Sequence, residues 1–204
     1  MKPIVGLCGG IGAGKSTVAG LLAEQGALVI ASDELNHQIL RRPEVARQLA
    51  EWWGPDVLQP DGAVDRARVA QRVFDEPAER ERLERLVYPL IAELREDMIK
   101  RGFENPAVTI IVLDSPLLFE SNLDRRCDRV VFVETGEDRR RDRLIESRGW
   151  NVEELERRAR WQLPVAEKRA RSDFILRNDG SLADLRRNVT NLYQNLVRRD
   201  SSVE

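Results

Sequence analysis

Residues Gly6 to Leu22 read GLCGGIGAGKSTVAGLL, and the spacing Gly9-x-x-x-x-Gly14-Lys15-Ser16 within them constrains the fold more than any other feature. Glycines let a backbone curl until successive N–H groups point inward, with no β-carbon between them and a ligand. The apolar run PIVGLC before the glycines predicts a short buried strand, and STVAGLLAEQ after them has helical apolar spacing. In that setting the spacing cradles a polyphosphate, whose oxygens are bound by main chain and by the helix N-terminus. With glycine at about 7% per position, the pattern arises by chance in on the order of one window in thirty thousand. A glycine-rich turn with a spare lysine is therefore a poor account of it. The expected nucleotide contacts are Gly10, Gly12, Ala13, Gly14, Lys15, Ser16 and Thr17. Lys15 would meet the β- and γ-phosphates and act in catalysis, and the Ser16 hydroxyl would coordinate magnesium.

Further strands follow in ALVIA (27–31), AVTIIVLD (107–114), RVVFVE (129–134) and DFILRNDG, the last ending in a turn. An amphipathic helix from 182 to 198 closes the pattern, and Gly26 stops the first helix. Strands alternating with helices predict parallel βαβ units in an α/β sheet, with ligands at the C-terminal strand edge. Two stretches depart from this alternation. Residues 35–102 are charged, arginine-rich and helical in period, broken by turn signals at WGPD and QPDG; residues 137–171 are a helical run with ten arginines. The expected architecture is thus an α/β, three-layer phosphate-loop fold on a parallel five-stranded sheet. Residues 1–34, 103–137 and 171–204 would form the nucleotide-binding core, 35–102 a helical acceptor domain and 138–170 a helical lid.

Composition narrows the class. A net charge of −2 provides no overall basic field for nucleic acid. No apolar run approaches the roughly 20 residues of a membrane helix, and MKPIVGLCGG lacks a signal-peptide pattern, so the cytoplasm is the expected compartment. Cys8 and Cys127 make no metal-ligand spacing, and His37, the single histidine, makes no triad. A GTPase would carry an N/T-K-x-D guanine motif, which Lys100 and Lys168 do not provide, and no transporter ATPase signature is present. Nothing in the sequence sets an oligomeric state.

Two carboxylates stand at strand ends. Asp33, just after the second strand, reads either as a general base toward an acceptor hydroxyl or as a helix N-cap. Asp114 ends TIIVLD, as an acid holding magnesium would, and also reads as a turn residue. Lid arginines would neutralise charge on a transferring phosphoryl group, with Arg143 first, then Arg148 and Arg169; for each, a surface salt bridge competes.

With those residues in place, the sequence resembles the dephospho-CoA kinase family nearly end to end. VGLCGGIGAGKSTVA is similar to the family's start, VIASD to its acid-Ala-Asp stretch, and IIVLDSPLLFE to its Asp-x-Pro-Leu-Leu-Phe-Glu stretch. PDGAVDRARVAQRVFDEPAERERLERLVYPLI resembles its acceptor segment, and RARWQLPVAEKRARSDFILRNDG its lid exit and final turn. The resemblance implies transfer of the ATP γ-phosphoryl to the 3′-hydroxyl of dephospho-CoA, with Asp33 as base. It also implies acceptor contacts at Asp33, Arg66 and Leu117, and adenine near Asn178 and Gly180. Ala31 replaces the family's usual first acid, and Tyr88 stands where histidine is common. Another small-acceptor kinase, for a nucleoside monophosphate or a sugar, is the first alternative, and a nucleotide-dependent binding module is the second.

Overall fold

The computed structural model describes residues 2–148 and 159–198. Strands β1 (Ile4–Gly9), β2 (Ala27–Ala31), β3 (Ile110–Asp114), β4 (Arg129–Glu134) and β5 (Phe174–Arg177) form one sheet in the order β2-β3-β1-β4-β5. All its pairings are parallel. The helices are α1 (Lys15–Ala23), α2 (Ser32–Leu40), α3 (Pro43–Trp53), α4 (Arg66–Asp75), α5 (Pro77–Glu104), α6 (Glu137–Arg148), α7 (Val165–Ala170) and α8 (Leu182–Arg198).

The strands read as near-continuous apolar runs because both sheet faces are covered. Val5 and Leu7 of β1, Ile110 and Val112 of β3, and Val131 and Val133 of β4 pack with α1 and α8 in one core. From α8, Leu185, Val189, Leu192 and Leu196 enter it at spacings of four, three and four, which keeps them on one helical face. Each such burial is worth roughly 1.5–3 kcal/mol. On the opposite face, a β-carbon at Gly6 would come within 2.8 Å of Leu118 Cδ2 and 2.9 Å of Cys127 Sγ.

Two aspartates just before strands fix register. Asp128 donates its N–H to Ile4 O at 2.7 Å, and its Oδ2 accepts from Ile4 N at 2.7 Å. Asp173 does the same to Val130, at 2.9 and 2.7 Å. Each ring closes the ladder where the neighbouring strand would otherwise leave an N–H unpaired.

Two sequence expectations shift. β3 begins at Ile110, because Val108 N bonds Asn105 O in the turn that leaves α5. Residues 137–171 are not one helical run: the described parts are α6 and, after an irregular 161–164, the short α7 headed by Pro164. The proline disfavours helical backbone at Leu163. The expected lid residues 149–158 lie outside the described residues.

Cα packing divides the chain into two compact units, residues 1–31 with 101–204, and residues 32–100. The smaller unit holds α2, α3, α4 and most of α5. In it Trp53 Nε1 donates to Glu79 Oε2 at 2.6 Å, and the Arg82 guanidinium lies 4.1 Å from the Trp52 ring centre.

Candidate active site

The loop from Gly9 to Thr17 joins β1 to α1. Gly12 (φ +78°) and Gly14 (φ +86°) take left-handed backbone that side chains resist. Gly14 occupies the α1 N-cap with no side chain to close it, so the first helical N–H groups face outward for an anion. The loop is pinned from beneath. Ala13 O accepts from Thr135 Oγ1 at 2.9 Å and from Asn178 Nδ2 at 2.8 Å, and both donors are buried. Register explains the convergence. β4 pairs with β1 at Gly9↔Val133 and with β5 at Glu134↔Arg177, so the residues just past β4 and β5 reach the loop. Lys15 folds back on the loop, its Nζ donating to Gly9 O at a long 3.4 Å. Ser16 and Thr17 are exposed.

Two α6 arginines flank the loop. Arg143 Nη2 donates to Asn178 O at 3.1 Å, and its Nη1 would lie 3.4 Å from a β-carbon on Gly14. Arg140 lies at the other end, where a β-carbon on Gly10 would overlap its Nη1. Its Nε is buried without a hydrogen-bond partner among the described residues. Sequence reasoning passed over Arg140, although it lies three positions before Arg143, which puts both on one helical side. Arg169 instead bonds Glu134 Oε1 at 2.7 Å, and Arg177 approaches the same carboxylate at 3.5 Å. The Arg148 side chain lies outside the described residues. Beside the loop opens a cavity of about 330 Å³, lined by Gly10, Glu134, Thr135, Arg140, Arg169 and Asp179.

Asn178 is thus turned inward, its amide spent on the loop, while Gly180 sits in the following turn beside Asp184. Thr135 was also missed, although a hydroxyl two residues beyond the register partner of Gly9 is a legible signal.

Asp114 ends β3 in register with Leu7 of β1 and Ala31 of β2, at the sheet edge from which the loop also leaves. Half-buried Leu117 follows it, its N–H donating to Ser115 Oγ at 3.3 Å. Among the described residues no group of three His, Cys, Asp or Glu could hold a metal ion. A serine hydroxyl such as that of Ser16 and a carboxylate such as that of Asp114 are the hard oxygen donors that magnesium takes, one or two at a time, with phosphates and water completing its shell.

In the smaller unit, α2 begins at Ser32, so exposed Asp33 lies inside its first turn rather than at its cap, where the helix dipole favours its negative charge. His37, four residues on, shares that face and has its Nδ1 3.2 Å from Arg66 Nη1. Arg66 opens α4, which Asp65 caps by accepting from Ala67 N and Arg68 N. Burial pushes both thiols up, Cys127 to about 12, which disfavours the thiolate form. Partial burial and Glu84 push the Tyr88 phenol to about 12.

The sequence model of the family described as dephospho-CoA kinase matches residues 3–184. The chain belongs to the dephospho-CoA kinase family. A curated dephospho-CoA kinase from Corynebacterium glutamicum is 36% identical over 197 residues, covering 96% of this chain and 98% of the relative. A solved Thermus thermophilus protein, TT1252, superposes with a TM-score of 0.81 at 32% identity, covering 96% of this chain and 98% of that one. The dephospho-CoA kinase from Campylobacter jejuni does so at 0.73 and 26%, covering 98% and 100%. The chain is accordingly a kinase with a phosphate-loop α/β fold. None of its described helices is long and apolar enough to cross a membrane.

Proposed function

We propose that this kinase transfers the γ-phosphoryl group of ATP to the 3′-hydroxyl of dephospho-CoA, giving coenzyme A and ADP, with the residue roles that follow. The observation that carries the phosphate half is the loop itself: left-handed glycines, an uncapped helix start and a carbonyl side tied down at Ala13. Main-chain N–H groups and Lys15 hold the β- and γ-phosphates, already oriented before substrate arrives. Magnesium, held by Ser16 and Asp114, would offset negative charge on the transferring group. Arg140 and Arg143, at opposite ends of the loop, stabilise the charge that develops in transfer.

The acceptor roles follow the family resemblance. Asp33 takes the proton of the attacking hydroxyl, and Arg66 meets acceptor phosphate while His37 steadies its guanidinium. Leu117 supplies apolar contact to the acceptor. Asn178 acts by holding the loop, and the turn at Gly180 borders adenine. The proposed setting is the cytoplasm, with ATP and dephospho-CoA as the partners and no nucleic acid.

An ADP-release assay with ATP, magnesium and a panel of acceptors tests the reading. Dephospho-CoA should stimulate release, whereas stimulation by a nucleoside monophosphate or a sugar alone overturns the acceptor assignment. Asp33→Asn should keep ATP affinity while turnover falls by roughly 10²–10⁴-fold. Turnover near that of the wild type would leave Asp33 a first-turn helix residue and nothing more.

A further inference from the structure

Lys168, on the six-residue α7, is 1% exposed. An ammonium is buried at great cost unless it is paired and its donors are used. Here Nζ donates to Pro116 O at 2.7 Å, Glu120 Oε1 at 2.9 Å and Gln162 Oε1 at 3.1 Å. The same Glu120 oxygen accepts from Leu163 N at 2.7 Å, while Glu120 Oε2 is buried without a hydrogen-bond partner among the described residues. Burial opposes the charge on Glu120, but the Lys168 and Leu163 hydrogen bonds outweigh it and hold the carboxyl below the usual range. One turn on, Arg171 stacks 4.2 Å from the Phe119 ring centre and bonds Asp124 Oδ2 at 3.3 Å.

These contacts join two segments far apart in sequence. One is the loop Ser115–Glu120, directly after Asp114; the other is the stretch 162–171, by which the chain leaves the lid segment. An apolar plug of the same volume would serve stability as well or better. What the polar cluster adds is direction, because a carbonyl and a carboxylate bonded to one ammonium admit few loop conformations.

We propose that Lys168 is a positioning residue for phosphoryl transfer. Through Pro116 O and Glu120 it fixes the Ser115–Glu120 loop against the root of the lid, so that Asp114 and Leu117 meet metal and acceptor in a single arrangement. It acts through that loop and touches neither substrate. The inference rests on the reading above for the roles of Asp114 and Leu117 and for its readout.

Steady-state kinetics and ATP binding by calorimetry, on the full-length enzyme, test it. Lys168→Met should lower kcat and raise the dephospho-CoA KM, together on the order of 10²-fold in kcat/KM. The ATP dissociation constant, set by the separately pinned Gly9–Thr17 loop, should stay within about threefold. Because the single variant leaves a buried carboxylate unpaired, Lys168→Met combined with Glu120→Leu is the control. The pair should recover thermal stability but not the kinetic loss, since Pro116 O and Leu163 N still lack their partners. Recovery of both, or a single variant with wild-type kcat and acceptor KM, overturns the proposal. A wild-type enzyme with no activity on dephospho-CoA would instead overturn the acceptor reading, and that control is read first.

Discussion

Lys15 and Lys168 carry the same side chain in opposite circumstances. Lys15 stands on an open glycine loop, half-buried, its ammonium 3.4 Å from a carbonyl of its own loop. Lys168 is buried, with acceptors on Pro116, Glu120 and Gln162 at 2.7 to 3.1 Å. A cation meant for a phosphate must exchange its resting contacts readily when the ligand arrives. One meant to hold a loop must not. The difference teaches that charge alone does not mark a site; whether water is excluded from around the ammonium decides whether it binds or braces.

The contrast can be broken most sharply at Lys15. Lys15→Ala should cut kcat/KM for ATP by about 10²–10³-fold, the cost of one aligned donor to transition-state charge. Its melting temperature should move by no more than about 2 °C, as for a substitution outside the core. Intact kinetics, or a large thermal loss, would show that this lysine too is structural.

At the other pole, Glu120→Gln leaves Lys168 buried without a counter-charge and should cost about 3–5 kcal/mol in urea unfolding at pH 7. The sign with pH follows from the lowered carboxyl of Glu120. Its stabilisation is complete above the ordinary glutamate value of about 4.3 and is lost as pH falls through the lower folded value. The wild-type advantage over the variant should therefore narrow only in that acid window. A gap independent of pH would remove the ion pair from the account.

The smallest effect sharpens the comparison within the loop. Thr135→Val deletes one of the two donors to Ala13 O while Asn178 remains, and should cost about 1 kcal/mol. ATP affinity, read by calorimetry, should fall by a few-fold. No change in either would mean that Asn178 alone holds the loop.

Much of this is legible in the sequence. The sheet followed from apolar runs bounded by turn signals, and only β3 started three residues late, because a turn is not visible in hydrophobicity. The loop was legible because its glycines, lysine and hydroxyls are neighbours in sequence and each is required by local backbone geometry. The place of Asp114 at a strand end was legible for the same reason, because it closes an apolar run. Arg143 and Arg140 were harder to separate: within EDRRRDRL every arginine looks alike, and only the direction in which α6 faces the loop distinguishes them.

The sequence by itself determined the polyphosphate cradle, the parallel sheet and the family, since periodicity and fixed spacing are properties of consecutive residues. Only the tertiary structure decided that Lys168 is buried against Glu120, that Asn178 turns inward to Ala13, and that Arg140 guards Gly10. Those outcomes depend on which segments sheet register brings together across dozens of residues. A charged residue in a helical run carries no local mark of the side from which water will be excluded.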